Sequence, residues 1–333
     1  MRSLGRVCML AGGLSIGAAL AATPGIASAA PSTDALSWLD ALLSGVSLPA
    51  QATAAPLDIQ ISISGMDLFS TTDNTATASS GMGSIAIAIG DGANADASGG
   101  PLGQLGAVDF AFANGTDSSA TVGLGAFLDS ALASGTNSSA NIGLGAILDN
   151  ATAVGTSSFA QVGIGGSLDD AYANGTDANA VAGIGNNDVA TALFDDSSAT
   201  AGVGNSNSAI AFSGGDASAG GFLSTASASG VGSDASSDGI LSSASAAGGN
   251  AEASAQGWVD LASVINTGTA FDQALAGFGL PLGSNFDIAD ILGTGSTAVA
   301  GDGGSFDFAA VFGDMLNAIA TGENFLVDIL PSL

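Results

Sequence analysis

Gly125–Leu144 reads GAFLDSALASGTNSSANIGL, Gly145–Ile164 reads GAILDNATAVGTSSFAQVGI and Gly165–Ile184 reads GGSLDDAYANGTDANAVAGI. These are three copies of one 20-residue phrase, with glycines, alanines and turn residues in phase. A fixed period of this length is the mark of a solenoid, in which each repeat is one coil that buries its apolar side against the next. Within a copy, two short runs alternate. The first is Ala131, Ala133, Gly135, repeated as Ala151, Ala153, Gly155 and Ala171, Ala173, Gly175. The second is Ala140, Ile142, Leu144, repeated as Ala160, Val162, Ile164 and Ala180, Ala182, Ile184. Spacing by two is the strand period, because successive side chains point to opposite faces; a helix needs spacings of three and four. The expectation is an all-β fold: a parallel β-solenoid (a β-roll or β-helix) of about 20-residue, two-strand coils. Alanine facing Ile, Val and Leu gives a narrow, flattened core.

The turns are equally repetitive. Gly135-Thr-Asn-Ser-Ser139 returns as Gly155-Thr-Ser-Ser-Phe159 and Gly175-Thr-Asp-Ala-Asn179. Glycine supplies positive φ there, while Asp, Asn, Ser and Thr satisfy local backbone groups. The other turn carries Leu128-Asp129, Leu148-Asp149 and Leu168-Asp169. Here the leucines are expected to plug the end of the core and the aspartates to face solvent, in a column with about 4.8 Å between coils. Gly143, Gly163 and Gly183 fall on the outward side of the second run. Two readings stand for this column: a flat face open to another backbone, or a coil too tight for side chains.

The array is flanked by less regular sequence. Residues 1–29 combine Arg2 and Arg6, an apolar stretch from Val7 to Ala22 and Ala27-Ser28-Ala29, the pattern of a secretory signal peptide with cleavage after Ala29. Residues 30–74 predict an N-terminal cap: a helix striped by Ala35, Leu36, Leu39, Leu42 and Leu43, then a strand alternating Leu57, Ile59, Ile61 and Ile63. Residues 75–257 form the repeat solenoid, with later coils of about 17–19 residues and interiors of almost pure alanine. In residues 258–333, Phe308, Val311, Phe312, Met315, Leu316 and Ile319 run at helical spacing and predict a C-terminal helical cap. The alternative for that segment is an exposed amphipathic stretch that docks a partner or the cell envelope.

Charge narrows the function classes. The chain has 30 acidic residues, two basic residues and no histidine, for a formal charge of −28. Both arginines and Cys8 precede Ala29 while every acidic residue follows it, so cleavage would leave −30 with no Lys, Arg, His or Cys. Nucleic acid is excluded as a partner, because phosphates are neutralised by Lys and Arg. Cations are favoured. No stretch after the signal predicts a transmembrane helix.

Catalysis through His, Cys or Lys has no residues to draw on. Paired carboxylates remain, but the aspartates recur in repeated turns and no unique pair stands out, so the chain is not expected to be an enzyme or to need a cofactor. Calcium is the one ligand the composition suggests, since hard cations take oxygen ligands from Asp, Asn and backbone carbonyls. The candidate ligands are Asp129, Asp149, Asp169 and Asp170, with Asp117 and Asp177 across the coil. Against them stands the plainer role of aspartate as a solubilising turn residue.

Ser84-Ile-Ala-Ile-Ala-Ile-Gly-Asp-Gly-Ala-Asn-Ala-Asp-Ala-Ser98 resembles the head repeats of YadA-type trimeric autotransporter adhesins. The Ala-rich leader, the Ile-Gly-Asp-Gly rhythm and the near absence of basic residues are similar to secreted Ala/Gly-rich repeat proteins of mycobacteria, PGRS-like in style. Both resemblances imply a cell-surface or secreted repeat protein. The expected function is therefore an exported structural or adhesive solenoid, meeting an envelope or host-surface partner, with lateral self-association suggested by the glycine column. The alternative is an acidic β-roll whose aspartate columns bind Ca²⁺.

Overall fold

A computed structural model describes residues 58–97, 108–230, 232–248, 250–265, 271–277, 286–301, 306–320 and 326–329. The signal-like segment and the expected N-terminal helix lie outside the described residues. Each 20-residue copy folds as a pair of strands: Ser130–Thr136 with Ser139–Ile142, Asn150–Thr156 with Phe159–Val162, and Asp170–Thr176 with Asn179–Ala182. The first strand of each copy joins a front sheet and the second a back sheet. Pairing is parallel and in phase, with Ala131 beside Ala151 beside Ala171 in front and Ala140 beside Ala160 beside Ala180 behind. The front sheet has 15 strands and the back sheet 14, wound into a parallel β-solenoid of about 11 turns.

The turns also pair from coil to coil. Gly145 N–H donates to the Leu124 carbonyl and Gly165 N–H to that of Leu144, at 2.9 and 2.8 Å, and Ser157 N–H donates to Thr136 at 2.8 Å. Between the sheets lies a column of alanine methyls, among them Ala131, Ala133, Ala140 and Ala160, fully buried. Such a core removes little apolar area per residue, but alanine gives up no side-chain rotamer freedom on burial. Ile142 and Val162 add volume in the regular array, and Ala182 and Ala201 take their place in later coils.

After Ile184 the coils shorten, with equivalent residues 19, 17 and 18 positions apart. Pairing still keeps alanine against alanine, as in Ala209 beside Ala226 beside Ala244. The N-terminal end is closed differently. Ile59–Ile63 lies antiparallel on Ile85–Ile89 and turns back into Met66–Ser70. Ile61, Ile63, Ile85, Ile87 and Ile89 form a second apolar cluster there, with Phe110 and Phe112 packed against it.

Two expectations are corrected, and one choice left open is decided. First, the described part of residues 258–333 is strand and not helix: Leu261–Ile265, Asp272–Ala276, Asp287–Leu292, Thr297–Ala300, Asp307–Phe312, Asn317–Ala320 and Leu326–Ile329. The helical spacing of Phe308, Val311 and Phe312 is overruled by a period of two, in which Asp307, Ala309 and Val311 point inward beside Asp287, Ala289 and Ile291. Each new strand finds an exposed ladder edge waiting for it, which an isolated helix would leave unpaired. No helix among the described residues is long and apolar enough to cross a membrane.

Second, Leu144, Ile164 and Ile184 do not face the core but are about half exposed. The back strands stop at Ile142, Val162 and Ala182, and the chain turns at the following glycine, so the alternation ends there. Of the two readings of the outward glycines, the tight coil holds. A Cβ on Gly143 would sit 2.1 Å from the Gly163 carbonyl oxygen, and one on Gly163 2.1 Å from that of Gly183.

Candidate functional site

Two features share one edge of the solenoid: a buried acidic corner along the array and, outside it from Leu124 to Ser206, an apolar edge without charge. The corner is built by the residue that opens each front strand, either just before it or as its first residue. Asp109, Asp129, Asp149, Asp169 and Asp188 hold that place in successive coils, followed by Asn207, Ser224 and Ser242, then Asp260, Asp287 and Asp307. Contrary to the expectation of solvent-facing turn residues, Asp129, Asp149 and Asp169 are only 1, 2 and 1 % exposed. The leucines before them do not plug the core. Leu128, Leu148 and Leu168 adopt left-handed φ of 61, 61 and 63°, which swings each leucine outward and the next residue in.

What the corner side chains meet is the backbone of the next coil. Asp129 Oδ1 accepts from Asp149 N–H at 2.8 Å, Asp149 from Asp169 at 2.9 Å, Asp169 from Asp188 at 2.8 Å and Asp188 from Asn207 at 2.9 Å. Asn207 then plays the same part with a neutral amide, its Oδ1 accepting from Ser224 N–H at 3.2 Å. The column resumes with Asp260 and Asp287, which accept from Asp287 and Asp307 at 3.2 and 3.1 Å. An acceptor satisfies this position, whether or not it is charged. At the far corner of the regular array a hydroxyl takes the opposite part. There Ser158 Oγ donates to the carbonyls of Val154 and Gly175, at 2.9 and 2.6 Å.

Burial sets the protonation of the corner. The second oxygen, Oδ2, of Asp149, Asp169 and Asp188 has no hydrogen-bond partner and no access to water. A carboxylate in such a place favours its neutral form. Burial pushes Asp129, Asp169 and Asp260 up to about 7, and Asp149 and Asp188 to about 6. The N–H of the next coil acts the other way. For Asp129 and Asp169, the like charge of the carboxyls above and below adds to the rise. Asp109 is raised by the same burial.

The six predicted cation ligands fall in three places. Asp129, Asp149 and Asp169 are inside the corner. Asp170 is half-buried in the front sheet, where its Oδ1 accepts from Asn150 Nδ2 at 3.1 Å. Asp117 and Asp177 are exposed at the far corner, in left-handed turns whose equivalents in the coils between them are Asn137 and Ser157. Among the described residues no group of three or more acidic side chains converges in a way that could hold a metal ion. The additional corner residues Asp109, Asp188 and Asp260 escape a search for repeated Leu-Asp pairs, because their coils spell the turn differently. The signal that finds them is parity: Asp129 stands two before Ala131, and Asp188 two before Ala190.

Outside the corner, among the described residues, the turn that leads from the back strand to the next front strand carries exposed apolar side chains. Leu124, Leu144, Ile164, Ile184 and Val203 stand in one column, each between 47 and 69 % exposed, and in the coils that follow Phe222, Ile240 and Trp258 continue the neighbouring column, that of Asn205. Residues 123–128, 143–148, 163–168, 183–187 and 202–206 contain no charged side chain. On a chain of formal charge −28, that makes a neutral apolar line against an acidic background. A shallow depression on it is lined by Gly143, Leu144, Gln161 and Ile164, none of them titratable. The arrangement suits contact along a line. No protein-family model, curated protein or solved structure matches the chain.

Proposed function

We propose that the chain is an exported structural or adhesive β-solenoid that works without catalysis, held at the cell surface or released, and that the neutral apolar edge is its contact surface. The observation that carries this reading is the edge itself. Contiguous exposed apolar surface on an acidic protein signals a binding partner, and here it is drawn out along the coil axis. Support for export comes from the signal-like residues 1–29, and the resemblance to surface and secreted repeat proteins points the same way. Fractionation of the producing cell, with protease added to intact cells, is expected to recover the chain in the envelope or the medium and to cleave the envelope-bound portion. Recovery solely from the cytoplasm would overturn the proposal.

A second reading, a Ca²⁺-binding acidic module, is favoured by the unpartnered Oδ2 atoms of Asp149, Asp169 and Asp188. A proton satisfies the same atoms, and the next coil's N–H already takes the other oxygen. Melting curves in Ca²⁺, in Mg²⁺ at matched ionic strength and in EDTA are therefore expected to coincide within about 2 °C, a change below about 1 kcal/mol. A midpoint raised by Ca²⁺ well beyond Mg²⁺ would make the calcium reading the better one.

A further inference from the structure

We propose that the apolar edge is covered by the same edge of a second copy of this chain, so that two solenoids lie side by side in an antiparallel dimer. The inference deepens the proposed function and rests on reading the edge as a contact surface. Three observations choose the partner.

The first is charge. No basic residue follows Arg6, so two copies repel wherever acidic groups meet. The far corner exposes Asp117, Asp177, Asp195 and Asp196, and the sheet faces carry Asp170, Glu252 and Asp290. The edge from Leu124 to Ser206 presents none, so two copies can approach there without opposing charges. A cationic partner would choose the acidic faces.

The second is period. The stripe places one side chain per coil, about 4.8 Å apart. A second copy offers apolar groups at the same interval, so the match holds along the whole length. Five coils take part, through Leu124, Leu144, Ile164, Ile184 and Val203. A two-fold axis at Ile164 sets Leu124 of one copy opposite Val203 of the other and Leu144 opposite Ile184. Such an interface is isologous and closes on itself.

The third is area. Leu124, Phe127, Leu144, Ile147, Ile164, Leu168, Ile184 and Val203 on the neutral edge supply roughly 700 Å² per copy, close to the ~800 Å² that each partner gives to a standard stable interface.

The test is sedimentation velocity on the exported chain from about 1 to 100 µM, beside the variant carrying Ile164→Asn and Ile184→Asn. Both changes keep exposed turn positions neutral, and far-UV circular dichroism checks that the coils persist. The expected result is twice the chain mass for the parent and at least tenfold weaker association for the variant. A cross-link gives an answer independent of that pair: with no cysteine after Cys8, oxidation of a chain carrying Leu124→Cys and Val203→Cys, four coils apart and out of reach of one another within one copy, is expected to yield a covalent dimer. Flotation with phosphatidylcholine vesicles separates the failures. A monomer that floats, and stops floating in the asparagine variant, overturns the second copy but keeps the edge as a contact surface. A monomer that neither floats nor cross-links overturns both. A dimer that the asparagine variant leaves intact overturns the edge as its interface.

Discussion

Thermal unfolding of this solenoid is expected to shift to higher temperature as the pH falls from 8 to 5, the reverse of ordinary acid denaturation. Burial pushes Asp129, Asp169 and Asp260 up to about 7 and Asp149 and Asp188 up to about 6, against an ordinary 3.8. Between about pH 4 and pH 7 the folded chain therefore keeps protons that the unfolded chain has released. By linkage, stability falls as pH rises wherever the folded state binds more protons. The contribution is complete below about pH 4, declines through pH 6–7 and is gone above. Allowing for relaxation of the corner on ionisation, the column is worth about 5 kcal/mol in all. About 3 kcal/mol of it is regained between pH 8 and pH 5, a rise of about 6–10 °C, and the rest by pH 4. Asn207 supplies the internal control, since a neutral amide already occupies the column. Asp169→Asn should accordingly raise the midpoint at pH 8, leave it nearly unchanged at pH 4 and flatten the profile between. A midpoint that climbs with pH, or an Asp169→Asn chain less stable at pH 8, would show that the column is held ionised.

The second large effect belongs to the glycine column. Gly163→Ala is expected to lower stability by about 3 kcal/mol, or about 10 °C, because the new methyl meets a backbone oxygen that cannot move without separating two coils. Gly202→Ala makes a sharp comparison. It stands in the same column, but the coil that follows is two residues shorter, and its added Cβ would lie 3.4 Å from the Ala219 carbonyl oxygen, an ordinary contact. Its φ is not in the left-handed region, so this change should be neutral or slightly stabilising through the unfolded chain. Two melting curves decide the matter. Equal losses at both sites would mean that glycine is required there for flexibility and not for clearance. Because each coil touches only its neighbours, a break at Gly163 should also divide the melt into two stages.

The repeat made the architecture legible: the 20-residue period, the two strands per coil and the in-phase alanines all stand in the structure as they stand in the phrase. The orientation of the turns was harder to read. Leu-Asp at a turn suggests leucine in and aspartate out, since burying an unpaired carboxyl is costly. The structure inverts this with a left-handed leucine and a backbone N–H placed over the carboxyl, a partner that exists only once the next coil has stacked. Carrying the strand parity back through Ser130 from Ala131 would have placed Asp129 inside. The C-terminal segment misled for a related reason. Phe308, Val311, Phe312 and Ile319 fit a helix when taken alone, whereas a strand there becomes favourable only beside the edge left by Asp287–Leu292. The apolar edge was hidden by the same parity rule applied one residue too far, across Gly143 into Leu144.

In-register stacking also fixes how such a rod yields to mechanical load. Tension applied to the two ends of the chain peels the last coil from its neighbour, one ladder at a time. Each coil released frees about 20 residues, or roughly 65 Å of extended chain, in exchange for about 4.8 Å of rod. A tether built this way lengthens more than tenfold coil by coil, with the remaining stack intact behind it, and rewinds onto that stack when the load is removed.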